Sequence, residues 1–524
     1  MKQYHQLFLA VCATLVLAPS AARAQAFGLN EIGSCAFSRG FATTSAPCND
    51  ASAIFWNPAA TAGMKGNSLL VGGAAISISA KFTRDSALGS HDADVPLAIV
   101  PHLFLNHAMG RMAVGVGVYA PYGLTSQWKD DFPGRFLAKK AAIKSVYVQP
   151  NFAMSFKGGK WMVGGGPVFG ISTVELIQSA DLADQIAAVD SLSVPTVRNV
   201  VRFSQLGIAK KTEFSRATLK GSTTALGINV GVLGKLNDHW TMGVRYLSSL
   251  MMEYKDADAS FEQKATGVTF ASGNPLGYPA GTLFDTLAAV RGRYCAAAGA
   301  VMPTAPGATP GSAQTCAAAG LLGKQTVSTR IPHPDQFQLG FAYRGFSNWL
   351  LSVDYEWTGW KKFADLPVNF SRDSINTATS NTNPTGICPT AKAATDPTCD
   401  FDVLDRDLFE DYNNTSSIRI GAEHTLKNGW LLRAGFSGVA SAAPDETVTP
   451  LLPEQDRTYW SIGSAVPIIK DKVTLDAAYG FVLGSGRRGR LDERILRAQT
   501  ASSLNNGIYD LSANVLSLSL KASF

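Results

Sequence analysis

The chain closes on a strict alternation. Leu516, Leu518, Leu520, Ala522 and Phe524 fall on one side of an extended segment, and Ser517, Ser519, Lys521 and Ser523 on the other. A period of two predicts a β-strand rather than a helix. The pattern recurs upstream. Trp349, Leu351, Val353, Tyr355 and Trp357 alternate with Ser352, Asp354, Glu356 and Thr358. Phe337, Leu339, Phe341 and Tyr343 alternate with Gln336, Gln338, Gly340 and Arg344, and Val473, Leu475, Ala477, Tyr479 and Phe481 with Lys472, Thr474, Asp476 and Gly480. Asp354 and Glu356 cannot face hydrocarbon cheaply, so the polar face predicts a lumen and the apolar face a lipid-exposed wall.

Turns repeat as well. Lys157-Gly158-Gly159-Lys160-Trp161, Asn237-Asp238-His239-Trp240, Ser347-Asn348-Trp349 and Lys427-Asn428-Gly429-Trp430 each place a tryptophan just after a tight turn. Short turns belong on the periplasmic side of a transmembrane barrel, and tryptophans there form an interfacial girdle. Counting alternating segments predicts an all-β fold: a transmembrane antiparallel β-barrel of about 14 strands. The strands are expected to start near Asn67, Val95, Arg111, Ser145, Lys160, Leu219, His239, Ser328, Asn348, Asn413, Asn428, Asp456, Lys472 and Asp510. Between them lie inserts at 176–218, 256–327 and 362–412, rich in Ala, Gly, Ser, Thr and Pro, which read as long extracellular loops. Residues 25–66 lack the barrel period and are expected to form an N-terminal plug, or hatch, inside the lumen, with the barrel occupying 67–524.

Composition supports the membrane reading. Charged residues make up 16% of the chain and mean hydropathy is +0.06; a soluble domain carries nearer ~25% charge. Lys2, the apolar stretch Leu7–Leu17 and Ala22-Arg23-Ala24 read as a secretory signal peptide over residues 1–24. Cys12 follows Val11 rather than a small residue, which argues against a lipoprotein anchor. No later apolar run reaches the ~18 residues of a membrane helix. The remaining cysteines fall as near neighbours, Cys35 with Cys48, Cys295 with Cys316 and Cys388 with Cys399, and proximity suggests three local disulfides. A zinc site is the rival, without CxxC or HxxxH spacing. The net charge of +6 is too diffuse to argue for nucleic acid.

Chemistry is sparse. The chain has no HExxH, GxSxG or P-loop pattern. His102, His107, His239, His333 and His424 are scattered and read as lumen or turn residues, and Gly164-Gly165-Gly166 as close strand packing. No catalytic residue, metal or cofactor is expected.

The segment before the first strand carries a resemblance. Phe27-Gly28-Leu29-Asn30-Glu31, followed by Trp56-Asn57-Pro58-Ala59, resembles the N-terminal hatch of the FadL family of outer-membrane transporters for long-chain fatty acids and aromatic hydrocarbons. Tyr119-Ala120-Pro121-Tyr122-Gly123-Leu124 is similar to the end of that family's third strand, and Leu452-Pro453 with Asp456-Arg457-Thr458-Tyr459-Trp460-Ser461-Ile462-Gly463 to its twelfth. The resemblance covers nearly the whole mature chain. It implies a monomer in which a hydrophobic ligand meets a groove between external loops. The ligand then enters a pocket blocked by the start of the hatch, and leaves sideways into the membrane beside a kinked third strand. On this sequence Asn57, Pro58 and Ala59 would form the moving element, and Gln25, Ala26 and Phe27 would block the pocket. Gly115 and Gly117 would mark the kink and lateral opening, although interior glycines could equally make room for hatch side chains.

A carboxylate ligand would want one cation in an apolar pocket. Arg202, Lys210, Lys211, Arg216 and Arg330 are candidates, and any of them could instead meet lipopolysaccharide phosphates or solvent. The expected function is passive transport of hydrophobic compounds, long-chain fatty acids first and aromatic or aliphatic hydrocarbons as the alternative. A structural or adhesin barrel and a general porin are further readings. The hatch lacks the acidic-hydrophobic box expected of an energised transporter, so intracellular consumption of the ligand would supply the gradient. The cysteine pairs and loop sequences depart from the enteric fatty-acid transporters, which puts ligand identity in doubt.

Overall fold

A strand that crosses hydrocarbon cannot leave its N–H and C=O groups unpaired, and a sheet meets that demand without an edge only by closing on itself. The computed structural model describes residues 26–85, 89–190, 199–274, 277–303, 311, 314–372, 406–489 and 506–524. It shows that closure, with a wall of fourteen antiparallel strands. They are β1 (Gly66–Arg84), β2 (Ala98–Met109), β3 (Met112–Gln127), β4 (Lys140–Phe156), β5 (Trp161–Asp181), β6 (Glu213–Lys235) and β7 (Trp240–Leu247, resuming at Leu250–Gln263). The circuit continues through β8 (Gln325–His333, resuming at Gln336–Tyr343), β9 (Trp349–Thr358, resuming at Asp365–Phe370), β10 (Thr415–Thr425), β11 (Leu431–Val439), β12 (Arg457–Ile469), β13 (Val473–Gly484) and β14 (Gly507–Ser523). β14 pairs with β13 on one edge and with β1 on the other, from Ser68↔Ser523 to Arg84↔Gly507, and so shuts the cylinder.

The alternation read in the sequence has a direction in space. Leu516, Leu518 and Leu520 stand exposed on the lipid face, while Ser517 and Ser519 are buried in the lumen. Ser352, Asp354, Glu356 and Thr358 are likewise buried inside, opposite exposed Trp349 and Tyr355. The strand starts agree closely with expectation except at two places. β4 begins at Lys140 rather than Ser145, and β6 at Glu213 rather than Leu219. The assigned loops are shorter than expected for the same reason: β5 runs to Asp181, β7 to Gln263, and β8 opens at Gln325. These ends stand above the lipid belt, where the outer face carries Lys144, Glu175, Lys220 and Lys255. The apolar half of the period-two signal is therefore missing there, although the ladder continues.

The lumen is filled by the segment before β1. Helix α1 (Ser34–Ser38), helix α2 (Ala53–Trp56) and a 3-10 turn over Pro58–Gly63 are almost wholly buried. The disulfide Cys35–Cys48 closes the loop that follows α1. Wall polar groups meet this plug's backbone directly. Asp354 accepts the Thr44 N–H at 2.6 Å, Gln338 accepts the Thr44 hydroxyl, and Ser519 accepts the Ser34 N–H. A Cβ on Gly435 would collide with the backbone of Arg39 and Gly40, so the wall is bare where the plug presses on it. Arg419 and Glu356 form a fully buried ion pair of 2.7 Å beneath Phe41 and Trp56. A second disulfide, Cys295–Cys316, lies among external loops that share an apolar cluster of Phe203, Phe214, Phe270, Phe284 and Tyr294. The expected third pair, Cys388 and Cys399, falls outside the described residues.

The facing of β6 generates a stability prediction. Ile228 is exposed in the lipid belt between Leu226 and Val230, so Ile228→Lys should destabilise the folded barrel by ~2–4 kcal/mol in lipid-based refolding titrations. Ser222→Lys, three same-face positions higher, should change the refolding midpoint little.

Candidate functional site

The wall carries one gap in its ladder that the hatch itself fills. β2 and β3 are paired from Leu103↔Val118 down to Met109↔Met112 and no further. Above that point Ala98–His102 of β2 pairs only with β1, and β3 from Tyr119 to Gln127 pairs only with β4. The β3–β4 register shifts between Tyr119 and Tyr122, where Ala120-Pro121 bulges out. Proline has no N–H to donate, so this is the place on the strand where a ladder is least costly to lose. The start of the hatch lies along the freed edge. Leu29 donates its N–H to Pro121 O at 2.8 Å and Gly123 donates to Phe27 O at 2.9 Å. Asp94 N–H to Gln127 O closes the gap at its upper end.

From that position Phe27 reaches into a box of rings. Its side chain meets Trp360 at 4.8 Å, Phe363 at 5.7 Å, His333 at 5.9 Å and Tyr122 at 6.0 Å, every pair edge-to-face. Tyr147 and Tyr412 stand behind them. The box exists because three neighbouring wall strands break at one level: β7 at Ser248-Ser249, β8 at Pro334-Asp335, and β9 over 359–364. Each break turns side chains inward that a continuous strand would hold against the wall. Trp360 and Phe363 come from the β9 break, and Tyr122 donates its hydroxyl to Pro334 O in the β8 break. The polar edges of the box are closed among themselves: Tyr254 bonds Ser172, Ser172 bonds Ser145, and His333 bonds Tyr147 at 2.8 Å.

Beneath the box, three wall side chains grip helix α2. Gln149 and Asn229 donate to Ile54 O, Asn229 also donates to Phe55 O, and Arg245 lies 4.3 Å over the Phe55 ring. Arg245 Nε bonds Asn229, and its Nη1 bonds Gln336, whose Nε2 in turn reaches the Tyr122 hydroxyl. Arg245 Nη2 is buried with no hydrogen-bond partner among the described residues. Sequence reasoning missed Arg245 because its neighbours Val244 and Tyr246 alternate like any wall strand; only β7's place beneath the box makes it distinctive. It missed Phe363 because it sits in 362–412, read as loop, and Trp360 because it lies between the alternating Trp349–Thr358 strand and that loop. Pro334 and Gly359, two strand-breaking residues at the ends of adjacent strands, were the available signal.

Above the box stand two buried carboxylates on external connections. Glu454 accepts the N–H groups of Ala26, Ala442 and Ala443, and so ties the first described residue of the hatch to the β11–β12 connection. Burial raises its pKa above the ordinary glutamate range, with Arg457 opposing. Glu410 follows the strand segment Arg406–Phe409; burial, and secondarily the neighbouring Glu454, push it well above that range.

The expected hatch residues are placed as follows. Gln25 lies outside the described residues, and Ala26 and Phe27 are buried at the box. Asn57 caps the 3-10 turn, Pro58 takes its first position, and Asn57 Nδ2 bonds Thr44 O and Val232 O. Gly115 and Gly117 do not carry the irregularity of β3. The register runs unbroken through both; an added Cβ at Gly115 would strike Leu105 O and Ile54 of α2, and one at Gly117 would strike the Phe104 ring and crowd Ile54. They make room for the hatch, and the bulge sits at Ala120-Pro121. The proposed cations are not gathered at the box. Arg216 pairs with Glu213 and Asp130, Arg330 with Asp365, Arg202 bonds Asp184 O, and Lys210 and Lys211 are exposed on an external turn. Cys35, Cys48 and Asp50 lie close together, but the sulfurs are already joined, which leaves no thiolate for a metal.

Comparison with known proteins identifies the family and the fold. The family model described as "Outer membrane protein transport protein (OMPP1/FadL/TodX)" matches residues 15–524. The 47 kDa outer membrane protein of Pasteurella multocida is 22% identical, over 96% of this chain and 97% of its own length. In three dimensions the chain is similar to a Pseudomonas aeruginosa FadL homologue (TM-score 0.68, 18% identity, 95% of this chain and 100% of that one). It is also similar to the Ralstonia pickettii toluene transporter TbuX (TM-score 0.56, 15% identity, 95% and 99%).

Two outcomes follow. Asn57→Ala removes a helix cap of ~1 kcal/mol and two further bonds, so amide exchange over residues 57–63 should accelerate while the wall strands stay protected. Glu410 binds its proton more tightly folded than unfolded, so its contribution is full below the ordinary glutamate pKa and is lost as pH rises towards its raised folded value. Glu410→Gln should therefore slow exchange around Ala364 and Tyr412 at pH 8 and leave it unchanged at pH 4.

Proposed function

The chain belongs to the OMPP1/FadL/TodX family of outer membrane transport proteins, and from that premise we propose that ring-bearing hydrophobic molecules are its preferred cargo. Its broad role is transport of hydrophobic compounds across the bacterial outer membrane by a β-barrel. The observation that carries the finer reading is the Phe27 box. A benzyl group is toluene joined to a backbone, and the box already holds one by four edge-to-face contacts. Such contacts contribute about 0.5–1.5 kcal/mol each. A free arene that enters would regain nearly all of them. The net cost of expelling Phe27 is then mainly that of the Leu29–Pro121 and Phe27–Gly123 backbone bonds, ~1 kcal/mol each. Breaking those bonds also uncovers the free edge of β3, so displacement of the hatch and opening of the wall are a single event.

The route that follows is sideways. Ligand displaces Phe27, the gap between β2 and β3 opens, and exposed Leu97 and Ile99 beside it offer an apolar path to the bilayer. An apolar solute gains ~0.8 kcal/mol per buried methylene on such a path and nothing from a wet pore. Asn57, Pro58 and Ala59 anchor the far end of the hatch, and their release would let the segment between box and turn move as a unit. Transport is passive, and no cofactor takes part.

A second reading keeps long-chain fatty acids as the cargo. What favours it is Arg245, a buried guanidinium with a free Nη2, joined through Gln336 to Tyr122 of the box. A carboxylate reaching past the box would satisfy it.

Uptake of radiolabelled toluene and oleate by deletion cells that carry wild-type or variant protein separates the two. The first reading expects toluene uptake to depend on the protein and Phe27→Ala to raise it several-fold, with Arg245→Gln affecting neither solute strongly. Oleate uptake that depends on the protein and falls with Arg245→Gln, alongside toluene uptake indifferent to the deletion, would sink the first reading in favour of the second. A large, stable ion conductance in planar bilayers would sink both and mark a porin.

A further inference from the structure

The two ends of the barrel handle charge differently. At the loop end exposed Lys129, Lys144 and Lys211 make no ion pair among the described residues, but many cations are matched: Lys140 pairs with Glu175, Arg135 with Glu213, Arg330 with Asp365 and Arg487 with Asp445. At the turn end they are not. Arg111 stands in the β2–β3 turn, Lys157 and Lys160 in β4–β5, and Lys235 at the end of β6. Arg344 follows in β8–β9, Lys427 in β10–β11, and Lys470 and Lys472 flank β12–β13, with Lys65 where the hatch meets β1. Every one is exposed, and none makes an ion pair among the described residues. The acidic side chains on these turns are Asp238 and Asp471. Glu423, the lumen acid beside Arg344, is already bonded to Arg433.

The positions are not confined to one sector. Each tight turn of the barrel supplies at least one cation, so the charges form a ring about the whole circumference. The ring also has a fixed depth. Directly inward along the strands lie exposed Phe156, Trp349, Trp430, Ile468 and Ile469, the apolar and aromatic girdle that marks the boundary of the hydrocarbon. The cations therefore stand at the level of the lipid headgroups. Like charges confined to a ring repel one another and need counter-anions. A protein partner would cover one sector, whereas an annulus of lipid meets the whole circumference.

We propose that this ring binds the phosphates of anionic phospholipids in the leaflet that faces the turns. The bound lipids form an annulus that fixes the barrel's depth. Basic residues at a membrane surface attract anionic lipid over about a Debye length, and the attraction is screened by salt.

Tryptophan quenching tests this, because Trp161, Trp240, Trp349 and Trp430 lie beside the ring. The full chain is reconstituted in phosphatidylcholine vesicles containing increasing fractions of brominated phosphatidylglycerol, with brominated phosphatidylcholine in parallel. The wild type should show a several-fold enrichment of the anionic lipid at low salt, lost at about 1 M salt, where the Debye length falls to ~3 Å. The variant Lys157→Gln/Lys160→Gln/Lys427→Gln/Lys470→Gln/Lys472→Gln should show near-equal quenching by both lipids. Should that variant fail to fold, the salt titration of the wild type still decides. Equal quenching of the wild type by both lipids at low salt, or an enrichment that salt leaves intact, overturns the proposal. So does salt-sensitive binding to purified peptidoglycan without a lipid preference, which would assign the ring to the acidic cell-wall polymer.

Discussion

Backbone hydrogen bonding in a solvent that offers no partners is the constraint from which the rest follows. Within hydrocarbon an unpaired N–H or C=O costs several kcal/mol, so the ladder must be continuous wherever lipid touches it. β14 therefore closes on β1. Where the ladder does fail, something stands in for it. The breaks in β7, β8 and β9 open towards the lumen, and Tyr122 bonds the exposed Pro334 carbonyl. The edge of β3 beyond Val118 is taken up by the backbone of Phe27 and Leu29. The hatch start is thus a wall element as well as a plug, and the proposed route links occupancy of the box to the state of the wall.

The lumen is held by a different economy. Polar side chains that point inward bond the hatch: Asp354 accepts the Thr44 N–H, Gln338 the Thr44 hydroxyl and Ser519 the Ser34 N–H, while Gln149 and Asn229 donate to carbonyls of α2. Net gains of this kind are modest, ~1 kcal/mol each, but leaving either partner buried and unmade costs more than the bond contributes. The interior of the hatch, stapled by Cys35–Cys48, is therefore costly to displace as a whole. Its first residues have fewer ties, two ladder bonds and the Glu454 and Arg457 bonds to Ala26, so movement is cheapest there.

Much of the architecture was legible in one dimension because its cause is one-dimensional. Period two with apolar residues on one face is a direct consequence of a wall between lipid and lumen, so Leu516–Leu520 or Trp349–Trp357 can be read without neighbours. The tryptophan-bearing turns and the Cys35–Cys48 and Cys295–Cys316 pairs were legible for a similar reason, being local in the chain. Strand ends above the membrane at Lys140 and Glu213 were not, since water on the outer face removes the contrast. Asn57-Pro58-Ala59 could be recognised, but its work as a cap bonded to Thr44 and Val232 could not.

The sequence by itself determined the wall, its approximate count of strands, the side that faces lipid and the presence of a segment inside. Tertiary structure alone decided the site. Phe27, Tyr122, His333 and Trp360 are separated by up to hundreds of residues and share no pattern; they meet because breaks in three adjacent strands fall at one height. The same holds for Gly115 and Gly117, where an added Cβ would meet β2 at Leu105 O or Phe104 and then Ile54 of the hatch. A periodic environment writes itself into every residue that it touches. A pocket is the coincidence of a few non-periodic positions, and their coincidence exists only once the cylinder has closed.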